Sequence, residues 1–237
     1  MEKAQSGNRR GRQSREEILD VASRLMAERG YAATSLSVLS SETGLPKSAI
    51  YHHFHSKGGL LSAVMERGLN DFFTAMGEAQ ANPPEGGSHL DRLLWFLERT
   101  GEVLAERQEF LRLHMLLVLS GEAADVDITS TIDKVRRDGR ARINHMIRES
   151  FSDEGPEIAQ AVADHLDYFG IAGVDGAFIA VQADPAHAPL DQNQLLAKAL
   201  VLLGEELVGQ LRTSGKHTSE GAADSSPLST APPTPAV

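Results

Sequence analysis

The chain has 237 residues, 41% hydrophobic and 24% charged, which suits a globular protein with a sizeable core. It has no cysteine, which excludes a disulfide scaffold, a thiolate zinc site and a cysteine nucleophile. The net charge of −10 is uneven: residues 1–60 carry nine Lys/Arg against six Asp/Glu, and the acidic excess lies wholly in the remainder. A basic head on an acidic body presents only its first part to a polyanion. No apolar run of signal-peptide or membrane-spanning length occurs, so a cytoplasmic protein is expected.

Residues 1–13 are polar, glycine-containing and basic, and are expected to be a disordered arm whose Arg9, Arg10 and Arg12 can follow a phosphate backbone. Ser14 and Glu17 have capping-box spacing and predict the start of a first helix, with Ile18, Val21, Ala22 and Leu25 on its buried face. Gly30 ends it. Thr34 or Ser35 caps a short helix over 36–43, Gly44 turns the chain, and Pro46 leads a third helix over 47–54. Ile50 and Phe54 are its buried anchors. Lys47, Ser48, Ala49, His52 and His53 are left on its outer faces.

Two short helices joined by a tight turn are the pattern of a helix-turn-helix, whose second helix enters the DNA major groove. The stretch GLPKSAIYHHFHSKGGLL, with Thr34, Gly44, Tyr51, Phe54, Ser56, Lys57 and Leu60 at fixed spacing, resembles the recognition region of the TetR family of bacterial regulators. The resemblance covers about residues 12–61. Two positions depart from it: Pro46 stands where Ser or Thr is usual, and Gly58-Gly59 replaces acidic residues. The resemblance implies that Lys47, Ser48 and Ala49 face base edges, that Tyr51, His53 and Lys57 bond phosphates, and that Thr34 or Ser35 adds a contact; His52 can do either. His52 and His55 lie one helical turn apart but lack a third ligand in sequence, so no metal site is expected, nor any cofactor.

The remainder reads as further helices: 56–76 capped by Ser56, 88 onward capped by Ser88 with Asp91, 106–120, 127–151, 157–182 and 191–212. Basic residues on the helix over 127–151 read as a solvated face paired with acidic surroundings. The tail 213–237 is expected to be disordered. The expected fold is all-α: a helix-turn-helix DNA-binding head at 14–58, and a ligand-binding and dimerisation body at 59–212. The resemblance places a small-molecule effector among the body helices. Candidate lining residues are Phe73, Met76, Trp95, Phe110, Leu113, His114, Leu117, Met146, Phe169, Asp175 and Phe178. It further implies a homodimer built on helices 157–182 and 191–212, where Gly170, Gly173 and Gly176 permit close packing, so that two heads meet a palindromic operator. The expected activity is that of a repressor released by a largely apolar effector and nucleoid-associated when bound. The alternative is a helical enzyme or carrier acting on a small apolar molecule, but the chain has no G-x-S-x-G, P-loop or HExxH motif.

Overall fold

The computed structural model describes the backbone of residues 2–120, 126–184 and 189–221. The described residues form nine α-helices, one 3-10 turn and no strand, the all-α class expected. In chain order the helices are α1 Glu2–Arg29, α2 Leu36–Thr43, α3 Lys47–Phe54, α4 Lys57–Ala79, α5 His89–Glu106, α6 Gln108–Ser120, α7 Val126–Ser150, α8 Pro156–Ala183 and α9 Pro189–Gly221; the 3-10 turn is Ser152–Glu154.

Both ends differ from expectation. Residues 2–13 are not a disordered arm but continue α1 as helix, so Ser14 lies inside the helix and caps nothing. The segment supplies Lys, Gln and Arg, which favour helix, and its two glycines cost only about 1 kcal/mol each against alanine. At the other end, α9 runs through Gly221 rather than stopping at 212. No proline interrupts it there, and the Thr213 and Ser214 hydroxyls donate to the carbonyls of Gly209 and Gln210 within the helix. Residues 222–237, the remainder of the expected tail, lie outside the described residues.

Capping explains several helix starts. Ser35 accepts from the Val38 amide at 3.2 Å, and Ser56 from the Gly59 amide at 2.9 Å. Ser88 and Asp91 form the expected reciprocal box, which also holds the Asp91 carboxyl below its usual range through the Ser88 hydrogen bonds. Gly44, at φ +69°, takes the left-handed position that ends α2.

The core has two parts. One joins Leu19, Leu25, Leu39 and Ile50 of the head to Leu61, Met65 and Phe72 of α4 and Leu113 of α6. The other joins Phe96, Ile147, Phe151, Val162 and Leu200 across α5, α7, α8 and α9. The expected boundary between residues 58 and 59 is therefore not a division in packing: α1 and α3 share a continuous core with α4 and α6. That continuity fixes the head to the body through α4.

The expected interface glycines have a different employment. A Cβ on Gly170 would lie 2.6 Å from Ile143 Cγ2, and one on Gly173 2.4 Å from Leu196 Cδ1, so both let α7 and α9 approach α8 within one chain. Gly176 faces open space. Two basic residues of α7 pair with carboxylates of α8, Arg136 with Asp175 and Arg140 with Asp167, whose Oδ1 lies 2.9 Å from Arg140 Nε. The outer side of α8 and α9 leaves Tyr168, Phe169, Ile179, Leu195, Leu202 and Leu203 exposed, Tyr168 and Leu202 by 69% and 68%.

Candidate nucleic-acid interface and body pocket

The expected reader of the head is α3. Its inner side chains, Ile50 and Phe54, are 1% and 5% exposed and fix its rotation against α1 and α4. Lys47, Ser48, Tyr51 and His52 are exposed in consequence, while Ala49 and His53 are half-buried. The turn ahead of α3 is closed by side chains: Ser40 Oγ donates to the Leu45 carbonyl at 2.7 Å, and the Leu45 amide donates to Thr43 Oγ1 at 3.2 Å. Pro46 supplies no side-chain cap, leaving the first turn of α3 without one. The Arg15 guanidinium lies over the Phe54 ring, 5.4 Å from its centre. His53 is held below the usual histidine range, chiefly by partial burial and then by neighbouring His52 and Arg15. A neutral imidazole still has one N–H to give to a phosphate.

Thr34 is a correction to the expected contact set. It is fully buried, and its hydroxyl donates to the Gly30 carbonyl at 2.9 Å, tying α1 to the link before α2. The exposed residue at this step is Ser35, the helix cap. Lys57 also has a structural employment: its ammonium donates to the Ala32 carbonyl at 3.1 Å and sits 4.2 Å from the centre of the Tyr31 ring. Gly59 is not merely an absent acid. A Cβ there would stand 2.3 Å from the Phe54 carbonyl oxygen, so α4 can start this close to the end of α3 only without a side chain. His55 joins the two helices at φ +62°, a left-handed value that its own sequence position did not announce.

The body holds a mostly apolar cavity of about 60 Å³ between α4, α5, α6, α7 and α8. Six expected residues line it: Phe73, Met76, Phe110, His114, Met146 and Asp175. Five do not. Leu113 and Leu117 are buried in the first core, Trp95 packs on the second, Phe169 is exposed, and Phe178 lines a separate neighbouring cavity. Sequence reading missed Arg136 and Arg142, because a basic run on a long helix looks like a solvated face. Their signal was position: each adjoins an inward residue of α7, Val135 or Ile143.

The polar groups on the cavity wall are few and specific. His114 is 2% exposed, its Nδ1 has no hydrogen-bond partner, and burial, aided by the charge of Arg136, pushes its pKa down to about 4. Arg142 donates from Nε to Gln80 Oε1 at 2.8 Å and from Nη2 to the Met76 carbonyl at 3.0 Å, and burial lowers its pKa. Gln80 in turn donates to the Phe96 carbonyl and to Thr100 Oγ1, at 3.1 and 3.0 Å. This buried network pins the last turn of α4 to α5 and α7.

A helix-turn-helix head rigidly joined to a helical body with an internal cavity defines a class of protein, and the comparisons narrow it. Residues 18–64 match the model of the bacterial regulatory proteins, tetR family. The HTH-type transcriptional repressor KstR2 of Rhodococcus jostii is 32% identical over 80 residues, 34% of this chain and 39% of that protein. The HTH-type transcriptional regulator AcrR of Shigella flexneri is 33% identical over 110 residues, 46% and 50% of the two chains. The chain thus spans half or less of the length of these two curated relatives. Among solved structures, a putative transcriptional regulator from Pseudomonas aeruginosa PAO1 superposes with a TM-score of 0.66 at 18% identity, over 84% of this chain and 94% of that one. One from Saccharomonospora viridis, in complex with choline, superposes at 0.62 with 20% identity, over 80% and 95%. The match to the tetR family of bacterial regulatory proteins thus lies in the head, over residues 18–64, and the solved structures share the all-α fold of the whole. The two curated relatives are regulators of transcription and the two solved structures are described as putative ones, which gives the enzyme or carrier alternative no support.

Proposed function

We propose that this protein is a DNA-binding transcriptional repressor that acts as a two-fold homodimer on a palindromic operator and is released by a small-molecule effector. The observation that carries the reading is the presentation of α3: Ile50 and Phe54 are buried, and Lys47, Ser48, Tyr51 and His52 are turned outward on one short helix. Lys47 offers donors for guanine O6 and N7, and the Ala49 methyl suits a thymine methyl. Ser35, Tyr51, His53 and Lys57 are the proposed phosphate contacts. His52 lies where either contact is open to it.

The exposed apolar side chains of α8 and α9 support the dimer, because a stripe containing Tyr168, Phe169, Leu195 and Leu202 is costly to leave in water. The cavity with its unpartnered His114 nitrogen supports the effector. No helix among the described residues is long and apolar enough to cross a membrane, which agrees with a cytoplasmic protein that joins the nucleoid when bound.

The test is a mobility-shift titration of the full chain against DNA from upstream of its own gene, with scrambled fragments as competitors. Sequence-selective binding is expected. Lys47→Ala should lower affinity by about 1–3 kcal/mol and change the preferred base at one position of each half-site. Failure to bind any upstream fragment at low salt would sink the reading.

A further inference from the structure

The cavity has a charge imbalance that points to the kind of molecule it holds. Its titratable wall residues are His114, Arg136, Arg142 and Asp175. Arg136 and Asp175 are paired and cancel. His114 is neutral near pH 7. Arg142 is left as an excess positive charge: both of its hydrogen-bond acceptors, Gln80 Oε1 and the Met76 carbonyl, are neutral. Asp138, one turn away on α7, pairs with Lys134 at 4.0 Å, and His145 on the same helix pairs with Glu149 at 3.6 Å. Among the described residues no carboxylate pairs with Arg142, and a partly buried guanidinium in that state is an electrostatic demand that a ligand anion meets best.

A second, independent observation concerns hydrogen bonding. His114 Nδ1 is buried on the same cavity wall with nothing to bond. A carboxylate has two oxygens, so it can accept from both a guanidinium and an imidazole N–H, whereas an amine brings only more positive charge. The rest of the wall, including Phe72, Phe73, Leu104, Phe110, Met115 and Ile171, asks for an apolar body.

We propose that the cavity takes an amphiphilic anion, a small apolar body bearing one carboxylate, whose head group pairs with Arg142 and competes with the Met76 carbonyl for it. The proposal rests on the effector reading given above and names its chemistry. Competition at Arg142 couples the ligand to the head, since Met76 lies in the last turn of α4, where a cation on the carbonyls stabilises the helix end. The cavity as it stands has room for roughly five waters, so a larger ligand must also push back its walls, among them Phe72, Phe73 and Met76 of α4.

Calorimetric titration of the full chain with octanoate, octan-1-ol and octylamine separates head group from tail, and 3-phenylpropanoate separates straight-chain from aryl acids. Acids of one or both shapes should bind at least about tenfold tighter than the alcohol, and the amine should not bind measurably. In Arg142→Gln the advantage of the acid over the alcohol should vanish; Arg142→Lys should restore part of it. His114→Phe, which leaves the α4 network intact, should lose about threefold or more for the acid alone. Equal binding of acid and alcohol, tighter binding of the amine, acid binding unaffected by Arg142→Gln, or no uptake of either acid at millimolar concentration would each overturn the proposal. Operator binding measured beside each titration keeps the two readings apart. A neutral or cationic probe that binds and releases DNA overturns the anion assignment alone, whereas bound acid that leaves DNA affinity unmoved counts against the effector reading itself.

Discussion

Folding stability should depend on pH through one buried histidine in the body. His114 titrates near 4 in the folded chain against 6.5 for an unburdened imidazole, because its burial and the nearby Arg136 charge oppose protonation. Between those values the unfolded chain binds the proton and the folded chain does not, so stability rises with pH across that window. The contribution is fully present above about pH 6.5 and is lost as pH falls towards 4. Linkage gives a loss of about 2.5 kcal/mol between about pH 7.5 and about pH 4.5 from this residue alone. His114→Phe removes the titrating group while keeping an aromatic ring next to Phe110, whose ring stacks on His114 at 6.5 Å between centres. Urea unfolding of the two proteins, at one protein concentration and at both pH values, isolates the effect. Carboxylates and the other histidines, including His53 and His145, titrate in both proteins and drop out of the difference. The wild type should lose about 2.5 kcal/mol more than the variant over the interval. Parallel losses would refute the claim that His114 is buried neutral, and with it the cavity's account of an unpartnered imidazole.

Three further outcomes test the head and the dimer. Gly59→Ala forces a Cβ against the Phe54 carbonyl and should destabilise the chain by about 2 kcal/mol or more, read as a lowered urea midpoint; a neutral result would show that the α3–α4 junction is slack. Lys57→Met removes the hydrogen bond to Ala32 and the contact with Tyr31 and should cost about 1 kcal/mol of stability even without DNA, a loss absent if Lys57 acts only on phosphate. Leu202→Glu places a charge in the exposed apolar stripe and should convert a dimer to a monomer in light scattering without loss of helical circular dichroism; an unchanged mass would move the interface elsewhere.

The head was legible because its signals are local. Ser35, Gly44 and Pro46 punctuate α2 and α3, and the structure sets both helices at the residues expected from them. Thr34 was misassigned because a hydroxyl beside a helix start looks the same in sequence whether it faces solvent or the preceding carbonyl. His55 was missed because a left-handed residue normally announces itself as glycine or asparagine, and here the close approach of α4 to α3 imposes it. The cavity was half legible. Phe73, Phe110 and His114 were found from aromatic and polar residues set in apolar runs, but Leu113 and Leu117, which share α6 with Phe110 and His114, are buried in the core away from the cavity. Arg142 was invisible because the partners that fold it inward, Gln80 and Met76, lie more than sixty residues away.

On the proposed reading, the same residue links the two halves of the molecule. α4 has 23 residues and spans about 34 Å, a rod with one end in each functional region. At its start, the Ser56 cap and bare Gly59 set it directly against the end of α3. At its finish, the Met76 carbonyl and Gln80 are held by Arg142, and Gln80 by Thr100 and the Phe96 carbonyl. A rod clamped at both ends transmits a change at one as a tilt at the other, and the continuous core beneath it gives little by local deformation. Coupling between two such sites is typically about 1–3 kcal/mol. Exchanging one charge-assisted hydrogen bond, that of Arg142 to Met76, for a pairing with ligand is an energy of that size. No longer pathway through the body is required: the network at the end of α4 suffices, provided the ligand takes hold of Arg142.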